Sequence, residues 1–314
     1  MNETTPFHEG ELQAQRLAGE AAEGQSNGAM IGDKLMLGAL DFIRAQKMAI
    51  VSSRGAHGRR WASILLGTAG FMEPDDRQTL KITVDAAKND LEDVLWENLR
   101  SDDRVGVLII QLYTRQRLRV NGRGHFAGGQ LTVNVEESFG NCPKYITRRE
   151  FEIVPMTRVS PFGKRAASQG RNLGKSQTAL LQATDVLFLA TGHPERGADA
   201  AHRGGNPGFV EVLDGNILRI PDYSGNSLFN TLGNLLVDAH CGVLVPDFRN
   251  GTMLQLTGTA KVSWLDKDPQ QRTGGTGRFV EFHIDEWRER PLAAKATTAP
   301  PELSPYNPSC VLQT

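Results

Sequence analysis

The chain has no apolar run approaching the roughly 18 residues that a bilayer-crossing helix needs. Its first residues, MNETTPFHEGELQAQ, lack both a basic flank and an apolar stretch, so no secretory leader is expected and the cytoplasm is the expected compartment. Cysteine is scarce. Cys142, Cys241 and Cys310 are odd in number and widely spaced, which fits neither a disulfide framework nor a zinc motif and predicts reduced thiols. His8, His57, His125, His193, His202, His240 and His283 include no i, i+4 pair and no cysteine partner at ligand spacing, so no metal site is expected. An excess of one charge is missing too. Lys plus Arg number 35 and Asp plus Glu 36, and a net charge of −1 gives no field that would steer the chain to nucleic acid or a membrane.

Nucleotide-binding loops are also absent. The segment GRNLGKS, 170–176, is one residue short of a phosphate-binding P-loop and follows no apolar strand. Gly122–Gly124 and Gly274–Gly277 lie outside any strand–helix–strand context and read as turns.

What is present is a repeat. KMAIVSS (47–53) matches DVLFLAT (185–191) in apolar pattern, GF (70–71) matches GF (208–209), and TLKI (79–82) matches ILRI (217–220), all at an offset of 138. Further on, VGVL (105–108) matches CGVL (241–244) and RVNGR (119–123) matches QLTGT (255–259), now at 136, so a two-residue deletion lies between. Each half reads as short β-branched strands separated by turns such as Glu73–Asp76 and Asp214–Asn216, with one amphipathic helix, expected over 90–101 and 228–238. The fold expected is mainly β with helices (α+β): a surface arm over 1–32, a first barrel over 33–155, a basic polar linker over 156–178, a second barrel over 179–290 and an extended Pro-rich tail over 291–314.

The stretch RIPDYSGNSLFNTLGNLLVDAHCGVLVPDF (219–248) resembles the strand-to-helix segment of the FMN-binding split-barrel proteins related to pyridoxamine 5'-phosphate oxidase. FHEGELQAQ (7–15), ESFGNCPKYI (137–146) and GNPGFVEVLDGNILRIPDYSGN (205–226) resemble a bacterial branch of the same superfamily. The resemblance implies two tandem split β-barrels in a pseudo-dimer that holds FMN at the interface a homodimer would otherwise form. It places Asp222 and Tyr223 at the family's Asn-Tyr, and Asn226 and Ser227 where the family has Arg and Lys on the phosphate. Arg203 falls near an arginine of the preceding strand.

With two cations replaced by neutral donors, phosphate is expected on Ser224, Gly225, Asn226, Ser227 and the helix start behind them. Asn230, one turn on, is either a further phosphate donor or a solvated helix residue. His202 either donates to the flavin ring or lines a loop. Arg115, Arg117 and Arg119 alternate along one strand, so their common face is either solvated or turned to a ligand's anionic group. Cys142 is either a redox thiol, with Lys144 near enough to lower its pKa, or a small buried hydrophobe. The first half carries Asp90, Glu92 and Asp93 at the matching place, where a phosphate would be repelled. One FMN per chain is therefore expected, its phosphate on the second half and its ring against the first.

The function implied is an FMN-dependent oxidoreductase acting on a small molecule, with NAD(P)H as a possible electron donor and a homodimer as a possible assembly. The alternatives are a flavin- or haem-binding storage protein without turnover and a barrel pair that binds nothing.

Overall fold

Short β-branched runs bounded by Pro, Asp and Gly fold as antiparallel strands, because such residues fit a pleated, half-buried surface and the turns between them reverse the chain. The computed structural model describes residues 5–159, 168–214 and 216–308. Cys310, the end of the tail, the middle of the 156–178 segment and Gly215 of the Asp214–Asn216 turn lie outside them. In chain order come α1 (Glu9–Ala18), α2 (Ala21–Gly28), α3 (Leu40–Ala45), β1 (Met48–Arg54), β2 (Arg60–Leu66), β3 (Met72–Pro74), β4 (Thr79–Thr83), α4 (Val94–Ser101), β5 (Arg104–Gln111), β6 (Gln116–Ala127) and β7 (Gln130–Gly140). There follow β8 (Phe151–Ile153), α5 (Met156–Val159), β9 (Ser168–Gly170) and α6 (Lys175–Ala183). The second run is β10 (Val186–His193), β11 (Gly197–Gly204), β12 (Glu211–Leu213), β13 (Ile217–Pro221), α7 (Asn230–Val237), β14 (His240–Asp247), β15 (Thr252–Ser263), β16 (Phe279–Pro291) and β17 (Ala294–Ala296).

The first sheet has the order β2-β1-β5-β6-β7-β4-β3 and the second β11-β10-β14-β15-β16-β13-β12, which is the same order element for element. Each long hairpin slips register at an equivalent glycine, Gly122 in β6 and Gly258 in β15, where a side chain would overlap a carbonyl of the facing strand.

Alternation along β1 explains why both of its faces are apolar. Ala49 and Val51 enter a core enclosed by the first sheet, whereas Met48 and Ile50 enter a second cluster with Val186, Phe188 and Ala190 of β10. Leu187 and Leu189 turn the other way, into the core of the second sheet. The halves thus meet across β1, β2, β5, β10, β11 and β14.

Several sequence expectations need correction. The helices begin later than periodicity suggests. Residues 90–93 form a turn closed by Asp90, and Asp93 caps α4 by accepting from the Leu95 N–H at 2.8 Å. Before α7, Ser227 (φ 58°) and Phe229 (φ 61°) are left-handed, so helix cannot start until Asn230 and Ser224–Ser227 is not its first turn.

The N-terminal arm is docked, not laid on the surface. Gly10 of α1 and Gly233 of α7 face one another, and a Cβ on Gly233 would lie 2.6 Å from the Glu11 backbone. The tail crosses both halves. Leu292, Ala293 and Ala294 join the interface cluster, β17 pairs with β8, and Glu302 bridges to Arg148. Within the segment read as a linker, β9 pairs with β16 and α6 begins at Lys175. Among the described residues no helix is long and apolar enough to cross a membrane.

Candidate functional site

A pocket with a cavity volume of about 100 Å³ opens between the halves, at the end of edge strand β11. It collects eight of the nine residues singled out from the sequence: Arg117, His202, Arg203, Asp222, Gly225, Asn226, Ser227 and Asn230. Ser224 is the ninth. It is exposed and outside the lining, and its backbone carbonyl accepts a 2.8 Å bond from the Tyr145 hydroxyl. Burial raises the Tyr145 phenol, which keeps it a donor, and its ring packs 4.8 Å from that of Tyr223.

The arginine face of β6 turns to the other half, since Leu118 and Val120 fill the first core and place Arg117 and Arg119 opposite. Arg119 donates to both Asp199 oxygens, at 3.0 and 3.1 Å, and to the Asn230 side-chain oxygen at 2.9 Å. Asn230 gives its own N–H to Glu11 at 2.5 Å. Asn230 is buried, so it is not a solvated helix residue, and its side-chain oxygen positions Arg119. Arg115 turns away, to the Ile146 carbonyl and Glu302.

Arg203 and Arg278 share Asp222, at 3.2 and 3.0 Å, and Arg278 also meets Glu20 at 2.9 Å. Asp222 therefore holds cations in place. Arg117 differs from these three. Its Nε donates to the Cys142 carbonyl at 3.0 Å, one Nη faces His202 Nδ1 at 3.3 Å, the other lies 3.7 Å from the Cys142 Sγ, and no carboxylate is among these partners. Burial, then the nearby Arg119 and Arg203, lower the Arg117 guanidinium to about 10, which leaves it charged. The cation beside Cys142 is Arg117; Lys144 lies over the Tyr306 ring instead.

Burial and the neighbouring arginines hold His202 well below its ordinary value, hence neutral. A guanidinium only donates, so Nδ1 accepts from Arg117 and Nε2 carries the hydrogen, a buried N–H without a protein partner. Arg119 Nε, Arg203 Nε and Asn226 Nδ2 are also buried and unpartnered, which makes the lining rich in unused donors.

Sequence reasoning missed Arg278 and Tyr145 and left Arg119 undecided. It also expected neutral donors in place of the family's two cations, whereas the structure supplies cations from β6, β11 and the loop before β16. The prior signals were the alternation of arginines in TRQRLRV and, for Arg203, the family resemblance.

At the corresponding place in the first half, side chains of both halves bond to one another. At matching strand positions Met253 and Gln255 stand for Arg117 and Arg119, and Ile64 and Leu65 for His202 and Arg203. Asp93, buried, accepts from Ser63 at 2.6 Å and Gln255 at 2.9 Å, while Asp90 and Glu92 pair with Arg290.

Behind the pocket, His8 donates to Asn234 at 3.1 Å, and Glu11 accepts from the His8 backbone at 3.0 Å. His8, Glu9 and His193 cluster within 4.8 Å. Backbone N–H groups bond to Nδ1 of both histidines, so each Nε2 carries the proton and neither ring has a free lone pair for a cation.

Burial lowers His8 to about 4 and raises Glu11 to about 7. The His8 contribution to stability is present above its unfolded value, about 6.5, and is lost as pH falls toward 4. The Glu11 contribution is present below about 4.5 and is lost as pH rises toward 7. Over the shared window the two oppose each other. We expect Glu11→Gln to leave stability rising from pH 4.5 to 6.5 and His8→Asn to leave it falling, each by roughly 2–3 kcal/mol. Parallel urea unfolding curves at these pH values for both variants would show that neither group is perturbed.

No protein-family model matches the chain, and no curated protein matches it. Among solved structures, a provisionally assigned pyridoxamine 5'-phosphate oxidase from Lactobacillus delbrueckii aligns with 18% identity over 38% of this chain and 94% of its own, at a TM-score of 0.31. HupZ from Group A Streptococcus aligns with 11% identity over 40% and 100%, at 0.30. An FMN-binding protein from Syntrophomonas wolfei aligns with 11% identity over 37% and 83%, at 0.28.

Proposed function

We propose that the chain is a tandem pair of split barrels forming a pseudo-dimer, which binds one FMN in the pocket between its halves and acts as an FMN-dependent oxidoreductase on a small molecule. The observation that carries this reading is Arg117, a charged guanidinium in a donor-rich pocket with no carboxylate among its hydrogen-bond partners. Such a charge is uncompensated until an anion arrives. The matching strand order of the sheets and the sequence resemblance supply the rest of the support.

The donor set fits a phosphate: arginines supply charge-assisted hydrogen bonds, and Asn226 adds an unpartnered amide. The cavity of about 100 Å³ suits that end of the molecule, so the flavin ring must lie toward the open side. Bound FMN would supply reversible electron transfer of its own. The protein's part is to bind and orient. Arg117 and Arg119 would meet the anion, Asn230 and Asp199 hold Arg119 still, and neutral His202 keeps an N–H donor without adding charge.

The test is a titration of the apoprotein with FMN and riboflavin, followed by reduction with NADH or NADPH under anaerobic conditions. Expected are one FMN per chain, weaker riboflavin binding, and reduction faster than that of free FMN. Bound FMN that is never reduced faster than free FMN would favour storage, and a haem spectrum would replace the cofactor. Absence of any flavin uptake would overturn the reading.

A further inference from the structure

Glu20, in the turn between α1 and α2, places its carboxylate where an external oxyanion would be expected. One oxygen accepts from the Ser227 hydroxyl at 2.6 Å and the other from the Arg278 guanidinium at 2.9 Å, and both donors line the pocket. Arg278 already has a carboxylate partner in Asp222, at 3.0 Å, so Glu20 is not needed to neutralise it. Beside this pair, Asn226 holds a buried side-chain amide N–H with no partner, while its backbone carbonyl accepts from Asn27 of α2 at 2.8 Å. A hydroxyl, a guanidinium and an unused amide lining one pocket are the donor types that bind a phosphate monoester.

The geometry points to Ser227, Arg278 and Asn226 as an oxyanion seat that the chain's own Glu20 fills, so that a phosphate-bearing ligand and the α2 segment compete for it. A dianion entering the pocket would meet the Glu20 charge at close range, which is repulsive at any interior dielectric. The two helices of the arm are anchored unequally. α1 is held by the Gly10–Gly233 contact and by buried His8 and Glu11, whereas the polar ties of the 20–28 segment to the second half are those of Glu20 and Asn27. Ligand entry therefore displaces residues 20–28 while α1 stays docked.

This inference rests on the proposal that the pocket takes phosphate, and the test separates the two. Wild-type protein and Glu20→Gln are titrated with FMN, with riboflavin and with inorganic phosphate, and hydrogen exchange is followed at residues 20–28 of the wild type. Expected is about tenfold tighter FMN binding by Glu20→Gln, since a charge-assisted competitor is weakened. Riboflavin affinity should not change, and exchange at 20–28 should rise when FMN saturates the wild type. Equal FMN affinity in both proteins, or unchanged exchange, overturns the competing role of Glu20 and leaves the flavin reading intact. If neither protein takes flavin, inorganic phosphate decides. Tighter phosphate binding by Glu20→Gln supports the seat and sinks FMN, and equal or absent phosphate binding sinks both. The exchange measurement needs no variant, so a misfolded Glu20→Gln does not remove the test.

Discussion

Arg117→Met is expected to lose FMN binding by roughly 100-fold or more, while the ligand-free protein becomes no less stable than wild type. The two halves of this result have one cause. Arg119, Arg203 and Arg278 each have a carboxylate within 3.2 Å, so truncating Arg119 would leave buried Asp199 without its cation and truncating Arg203 or Arg278 would leave Asp222 with one cation in place of two. Arg117 bonds to a carbonyl, a neutral imidazole and a thiol, and its removal strands no opposite charge. Methionine fills similar space at the matching position of the other half, where Met253 is buried. An anion that had relied on the guanidinium would lose a charge-assisted contact worth about 2–4 kcal/mol in a partly desolvated site. Thermal unfolding of apoprotein and FMN titration measure the two effects separately. Arg117→Met that binds FMN as wild type does would remove the central observation behind the proposed function, and a strongly destabilised apoprotein would show that Arg117 is structural.

Much of the fold was legible because a repeat reports topology twice. The offset of 138 holds through β4 and β13 and becomes 136 by α4 and α7, so the two-residue difference falls in 84–93 against 222–229. That is the segment forming one wall of the pocket, which is why the halves differ there in conformation as well as charge. Periodicity put Arg115, Arg117 and Arg119 on one face, but Arg115 lies in the turn before β6 with φ 57° and turns away, and for the other two alternation says only that side chains share a face and not what the face meets. Arg278 left no local trace. It ends the 264–278 segment, whose place between β6 and β7 is taken by a two-residue turn, and it reaches Asp222 from 56 residues away. The arm was equally opaque. Glu11 and Asn230 are separated by 219 residues, and nothing in either segment names the other.

The contact between the halves can be tested through two glycines. Gly106 of β5 and Gly242 of β14 occupy matching positions, and a Cβ on the first would lie 2.6 Å from the Asp199 Cα and 2.7 Å from the Ala198 carbonyl. A Cβ on the second would lie 2.6 Å from the Arg60 carbonyl and 2.9 Å from the Trp61 Cα. Arg60 and Trp61 stand in β2 where Ala198 and Asp199 stand in β11, so each half presses its glycine on the same place in the other, the reciprocal pattern of a twofold interface. Glycine in a strand normally costs stability relative to alanine by about 0.5–1 kcal/mol, so Gly→Ala should help if the site had room. Here the obstructing atoms are mostly backbone and cannot swing aside, and the sign reverses. Gly106→Ala and Gly242→Ala should each destabilise by roughly 2–3 kcal/mol, as overpacking of an interior does. Gly38→Ala, at a position with nothing within 4 Å, should stay near wild type. The two interface variants should also part company in ligand binding. Gly106→Ala pushes on Asp199, which holds Arg119 at the pocket, whereas Gly242→Ala pushes on Arg60 and Trp61, away from it. Urea unfolding with FMN titration of all three proteins checks both statements. If either interface variant proves as stable as Gly38→Ala, the halves do not pack this closely.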